Sequence, residues 1–111
     1  MTIKELEERT GMTRANIRFY ESEGLLSPAR RENGYRDYSG EDLQTLRKIK
    51  LLRHLGLGIE TIRTVQRGEQ TLEEALAARE EELEKEAALL GKEKTVCREL
   101  RQRRIGYDAL E

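Results

Sequence analysis

The sequence predicts a mainly α-helical chain: a winged helix-turn-helix unit with a small β-hairpin wing, followed by a long coiled-coil dimerisation helix. Three observations carry that expectation. Cap residues open a series of short runs with helical apolar spacing. One stretch, around Pro28 and Asn33-Gly34, is unsuited to helix. From Leu72 to about Arg104 a charged run meets no proline, and apolar residues return along it every seven positions. Composition agrees: 39% charged and 5% aromatic residues in a chain of 111 is too polar for a sandwich or barrel core, and ordinary for short helices plus one exposed long one.

Thr2-Ile-Lys-Glu5 reads as a capping box opening a first helix, with Ile3 and Leu6 on its apolar face and Gly11 closing it. Thr13 is the N-cap of a second helix, with Ile17 and Tyr20 facing inward and Gly24 at its end. Helix, tight turn, helix is the helix-turn-helix arrangement. Pro28 biases Ser27 towards extended backbone, and Asn33-Gly34 predicts a type I′ hairpin turn between short strands that Tyr35 and Tyr38 suit. Ser39, with Asp42 three residues on, caps a third helix whose core stripe is Leu43, Leu46, Ile49, Lys50, Leu52 and Leu55, stopped by Gly56. Ile59, Ile62 and Val65 mark a short fourth helix that Gly68 ends. Thr71-Leu-Glu-Glu74 opens the long helix, which would be about 50 Å long if straight. Leu76, Leu83, Leu90 and Cys97 lie at sevenfold spacing on it, with Leu72, Ala87 and Leu100 alongside. A lone helix with one narrow apolar seam needs a partner, and the same helix of a second subunit supplies it, so a homodimer is expected. The spacing alone leaves parallel and antiparallel pairing open. The boundary falls after Gly68, giving residues 1–68 and residues 69–111 as the two parts.

Charge divides along the same line. Residues 1–68 hold 13 Lys or Arg against 10 Asp or Glu, and residues 69–111 hold 8 against 12, so a polyanion would dock on the front part. Cys97 is the only cysteine, which excludes an intrachain disulfide and fits a reducing cytoplasm. Met1 to Arg9 has no apolar run to act as a signal peptide, and no stretch is apolar enough to span a bilayer. Catalysis finds no support: His54, the only histidine, has no nucleophile beside it in the sequence, and Gly56-Leu-Gly58 follows a helix and lacks a third glycine. No metal site and no cofactor are expected, since one thiol per chain is a poor ligand set and Cys97 lies on the apolar seam.

The front part carries the chemistry. A second helix opening on Thr13-Arg14 and bearing Arg18 presents hydroxyl and guanidinium groups where a recognition helix meets base edges and phosphates. The wing adds Arg30, Arg31, Asn33, Tyr35 and Arg36, on a hairpin narrow enough to meet a DNA backbone. Each arginine alone is an ordinary surface charge; clustering on one helix and one wing is the signal.

Thr13-Arg-Ala-Asn-Ile-Arg-Phe-Tyr-Glu21, Gly24-Leu25-Leu26, Asn33-Gly-Tyr-Arg-Asp-Tyr-Ser39 and Leu51-Leu-Arg-His-Leu-Gly-Leu-Gly-Ile-Glu-Thr-Ile62 closely resemble the MerR-type regulators in order and spacing over residues 1–68. The resemblance implies a homodimer joined by an antiparallel coiled coil. It implies that the dimer binds a pseudo-palindromic promoter, bends and untwists it, and realigns it for RNA polymerase. It matches Thr13, Arg14 and Arg18 to recognition-helix contacts, and Tyr20, Tyr35, Arg36 and Tyr38 to phosphate contacts. Ala15 and Asn16 fall in the variable stretch of that helix, so the operator sequence is not implied. Gly58 stands where relatives often carry a polar residue at the second wing. Relatives continue beyond the long helix into an effector-binding segment, whereas this sequence stops at Glu111, so the expectation is a chain lacking its effector part, with the effector unspecified. Two other classes fit parts of the pattern: an excisionase-like architectural factor, which needs no long dimer helix, and a coiled-coil adaptor, which needs no basic wing.

Overall fold

The computed structural model describes residues 1–110. Its elements are α1 (Ile3–Thr10), α2 (Arg14–Ser22), β1 (Ala29–Arg30), β2 (Arg36–Asp37), α3 (Gly40–His54), α4 (Ile59–Gln66) and α5 (Leu72–Gln102), followed by a single 3₁₀ turn at Tyr107–Ala109. The mainly helical winged arrangement with a long final helix is the one the sequence predicts. Packing divides it into two compact units, Met1–Ala75 and a second beginning at Leu76. Ala75, on the first turn of α5, is only 2% exposed and belongs to the core of the first unit.

The helix starts follow from local hydrogen bonding. Thr2, Thr13, Ser39 and Thr71 each accept a bond from the backbone N–H three residues on, at 3.1–3.2 Å. Only Ser39 completes the reciprocal box, its own N–H donating to Asp42 at 2.8 Å. At Thr2 and Thr71 the hydroxyl donates to the glutamate carboxylate instead. Gly11 closes α1 in the left-handed region at φ 72°, which a side chain would strain.

Leu6, Ile17, Tyr38, Leu46, Ile49 and Ile62 are the large side chains buried completely or nearly so. One residue from each of α1, α2 and α4, two from α3 and one just past β2 therefore meet in a single core. The expected α3 stripe is shorter than its sequence pattern. Leu43, Leu46 and Ile49 are buried, Leu52 is half-buried, and Leu55 is exposed. Leu43 and Ile49 lie about 60° either side of Leu46, whereas Leu55, nine residues past Leu46, falls about 180° round the helix from it and faces away from the core.

The hairpin is where the local prediction fails. Ala29 pairs with Asp37 and Arg30 with Arg36. The Gly34 N–H donates to the Arg31 carbonyl at 2.9 Å, and the Arg31 N–H to the Tyr35 carbonyl at 2.7 Å. Gly34 takes φ 84°, but Asn33 does not take a positive φ. This excludes the expected type I′ turn, which needs positive φ at both central residues. The loop is instead three residues, Glu32 to Gly34, with the glycine in the left-handed position that follows a type I turn. The Asn33 side chain accepts from the Tyr35 N–H at 3.1 Å, which keeps Asn33 in its ordinary conformation. Next to β2, Tyr38 and Met1 exchange backbone bonds of 3.0 and 2.6 Å, tying the wing to the start of α1.

Candidate nucleic-acid interface

The residues singled out in the sequence fall on three parts of the first unit. Thr13 and Arg14 stand exposed at the N-terminus of α2, where helix dipole and free N–H groups already favour an anion. Arg14 is steadied from behind, its Nε donating to Glu7 at 2.8 Å.

The second part is a cleft of about 310 Å³ between α2 and the wing. Arg18, Arg31, Tyr35, Arg36 and Tyr38 line it together with Thr2 and Ile3. Arg18 comes from α2, Thr2 and Ile3 from the start of α1 and the others from the wing, so the fold brings together side chains up to 36 positions apart. The Tyr35 ring is 72% exposed, so its phenol is open to a ligand. Arg31 pairs loosely with Asp37 at 3.5 Å, both side chains about half exposed. Arg30 and Asn33 serve the loop itself: Arg30 donates to the Gly34 carbonyl at 3.1 Å, and Asn33 holds Tyr35 as above.

Glu21, not among the residues expected to form the site, organises this cleft. Its carboxylate accepts from Arg36 Nε at 2.7 and 2.9 Å and from the Tyr38 hydroxyl at 3.3 Å. Only Nε of Arg36 is engaged, so both terminal amino groups of the guanidinium remain available to a ligand. The pairing holds the Arg36 guanidinium charged well beyond any physiological pH. Glu21 lies 15 residues from Arg36, and no local spacing rule could have linked them.

Tyr20 and Tyr38 differ from the other candidates. Tyr38 is 2% exposed and Tyr20 8% exposed, so both rings are core residues. For Tyr20 the sequence had supported both an inward face and a phosphate contact, and the inward face accounts for its ring. Burial, and then the neighbouring Glu21 charge, push the Tyr38 phenol above its ordinary range. The folded state therefore keeps a proton that the unfolded chain releases near pH 10. Stability should hold constant from neutrality to about pH 10 and fall above it. Thermal unfolding followed across that range should show the fall, and Tyr38→Phe should remove part of it; an unchanged slope in the variant would show that other groups cause it.

At the far side of the first unit, Arg63 of α4 donates to the Glu23 carbonyl at 2.7 Å and pairs with the Glu23 carboxylate at 3.0 Å. Gln66 donates to the Leu25 carbonyl at 3.2 Å. These bonds set α4, and the turn at Gly56 to Gly58 before it, against the end of α2. Gly58 caps α4 without a side-chain bond.

In the second unit Leu76, Leu83 and Leu90 are 37%, 43% and 63% exposed, and Cys97 is exposed too. Leu89 and Val96, seven apart and next to Leu90 and Cys97, are also exposed and widen the apolar stripe beyond the expected seam. Among the described residues, no helix is long and apolar enough to cross a membrane.

Comparison with known proteins agrees with this geometry. Residues 1–69 match the family described as MerR HTH family regulatory protein. Over 63 residues the chain is 44% identical to the HTH-type transcriptional regulator HmrR of Rhizobium leguminosarum bv. viciae, covering 57% of this chain and 49% of that one. The chain spans about half the length of the curated relatives it matches. Among solved structures, it is similar to the transcription regulator PbrR691 of Ralstonia metallidurans CH34 in complex with lead(II), with TM-score 0.73 and 31% identity over 100% of this chain and 91% of that one. It is also similar to HiNmlR, a regulator lacking the sensor domain and bound to promoter DNA, with TM-score 0.60 and 27% identity over 87% and 77% of the two chains.

Proposed function

Because this chain belongs to the MerR family of helix-turn-helix regulatory proteins, we propose that it is a transcriptional regulator that binds a pseudo-palindromic promoter operator as a homodimer and distorts it, changing how RNA polymerase meets the promoter. In this reading residues 1–68 bind DNA, and residues 69–111 join two subunits in an antiparallel coiled coil through Leu76, Leu83, Leu90 and Cys97. The observation that carries it is the convergence of Arg18, Arg31, Tyr35 and Arg36 on one cleft beside the exposed N-terminus of α2. Helix α2 enters the major groove. Thr13 and Arg14 meet the base edges or the adjacent phosphates, and Arg18, Arg31, Tyr35 and Arg36 take the backbone on the wing side. Arg30 and Asn33 keep the loop in shape, while Tyr20 and Tyr38 act from the core by fixing α2 and the wing. An architectural factor of the excisionase kind is the weaker reading, since the family and the relatives are regulators of transcription.

Phosphate and base contacts separate experimentally. Arg18→Ala is expected to weaken binding to operator and random duplex alike, and to flatten the salt dependence by about one phosphate equivalent. Arg14→Ala is expected to relax sequence preference, at a cost of roughly 1–3 kcal/mol if it reads a guanine. Mobility shifts with the DNA upstream of the coding region, at several salt concentrations, measure both. A wild-type chain that binds operator no better than random duplex would refute the proposal.

A further inference from the structure

Beside the apolar seam of α5 runs a second row with the same sevenfold spacing: Glu73, Glu80, Ala87, Lys94 and Arg101. Each of the last four follows a seam residue by four positions, about 40° round the helix, so the row flanks the seam along its length. All four charged side chains are exposed, and among the described residues none of them forms an ion pair within the chain. Other charges of the helix do pair locally: Arg79 with Glu82 and Glu86 at 3.1 and 3.3 Å, and Lys85 with Glu81 at 3.6 Å. Within one chain Glu80 and Lys94 lie about 21 Å apart along the helix axis, beyond the screening length of about 10 Å at 0.1 M salt, so they do not neutralise each other. The helix macrodipole favours acids at the start and bases at the end, but it acts only within the terminal turns. Glu80 stands in the third turn of α5, and Lys94 more than two turns before its end.

The row is symmetric in position and opposite in sign. Helix α5 runs from Leu72 to Gln102, and its midpoint is Ala87. Glu80 and Lys94 are each seven residues from that midpoint, and Glu73 and Arg101 each fourteen. The seam shares this centre to within half a residue: Leu76 mirrors Cys97, and Leu83 mirrors Leu90, about a point between Glu86 and Ala87. Two copies laid antiparallel about Ala87 therefore set each Glu80 against Lys94 of the other copy, and each Glu73 against Arg101. A shift by one heptad keeps only half of these pairs, and a parallel arrangement sets every charge of the row against its own like. We propose that this row selects the partner of α5: it favours a second copy of the same helix, centred on Ala87, over parallel or shifted copies and over helices that lack the opposed signs. The proposal rests on the homodimer reading above and adds to it the residues that choose partner and register.

The test reverses the inner charges in the full chain. Glu80→Lys or Lys94→Glu alone places two like-charged pairs across the dimer, and should weaken self-association on the order of tenfold at low salt and much less near 1 M salt. Glu80→Lys/Lys94→Glu together restores opposite pairs with the polarity inverted. The double variant should self-associate like the wild type, yet form mixed dimers with it about tenfold more weakly, because every mixed inner pair is lysine with lysine or glutamate with glutamate. Sedimentation equilibrium reads self-association, and co-purification of untagged double variant with tagged wild type reads mixing. Single reversals without effect would leave the row a solvated helix face and overturn the proposal. So would a double variant that remains as weak as the single ones, or one that mixes freely with the wild type. A double variant that prefers the wild type to itself would overturn it as well, since only parallel helices pair in that way. A wild type that is monomeric at micromolar concentration would remove the homodimer reading itself, and so is distinct from a stable dimer indifferent to these charges.

Discussion

Leu90→Glu is expected to yield monomers that keep a folded first unit and lose operator affinity by two orders of magnitude or more. The Leu90 side chain is 63% exposed on a helix whose other surface is dominated by Glu, Lys and Arg. Exposure of this kind costs the isolated chain little, and a partner helix would remove it from water. A carboxylate in that seam must stay hydrated, and the paired helices must part to allow it. The core of the first unit is untouched, because Leu6, Ile17, Leu46, Ile49 and Ile62 all precede the long helix. A monomer holds one half-site, and the advantage of linking two half-sites, about 10²–10⁴ in affinity, disappears. Leu83→Glu should act in the same way. Glu81→Ala is the control, because its contact with Lys85, at 3.6 Å between side chains 70% and 77% exposed, contributes little. Sedimentation equilibrium, paired with binding to full and half operators, reads both effects. A wild-type chain that sediments as a monomer at micromolar concentration would sink the dimer, as would a Leu90→Glu variant with normal affinity for the full operator.

Glu21→Ala is the second substitution with a large expected effect, and it sets charge against position. Removing a carboxylate makes the protein one unit more positive, which by net charge alone should tighten binding to DNA. Glu21, however, orients the Arg36 guanidinium by its Nε and accepts the Tyr38 hydroxyl. Without it the wing loses its tie to α2, and the Tyr38 hydroxyl is left buried without that acceptor. Hydrogen bonds to a charged group contribute about 1.5–3 kcal/mol. Arg36 is 31% exposed, so solvent replaces part of the loss, and roughly 2 kcal/mol of stability should go. Operator binding is expected to weaken about tenfold, equivalent to roughly 1.4 kcal/mol of lost orientation. Urea unfolding and operator titration measure the two quantities separately, and Glu21→Gln should recover part of both by restoring an acceptor. Tighter operator binding by the alanine variant would mean that Glu21 only dilutes the positive field.

These expectations divide by the distance over which the physics acts. Features set within three or four residues could be read directly from the chain. A hydroxyl at Thr2, Thr13, Ser39 or Thr71 reaches the N–H three positions on, so each helix start was legible. Gly11, Gly24, Gly56 and Gly68 take the left-handed backbone that ends helices or turns the chain, because no side chain opposes it. The sevenfold seam of the long helix was legible for the same reason, since helical period alone places Leu76, Leu83, Leu90 and Cys97 near one face. Asn33-Gly34 located the hairpin correctly but not its turn, because a side-chain bond from Asn33 to the Tyr35 N–H and the two-residue strands chose a three-residue loop. Packing of the whole unit chose which long-range partners meet. It placed the Arg36 guanidinium on Glu21, buried Tyr38 behind the wing and drew Ala75 into the core. Each of these depends on how helices pack around Leu6, Ile17, Leu46 and Ile62, and residues fifteen to forty positions apart carry no local signal of the neighbours that packing assigns them.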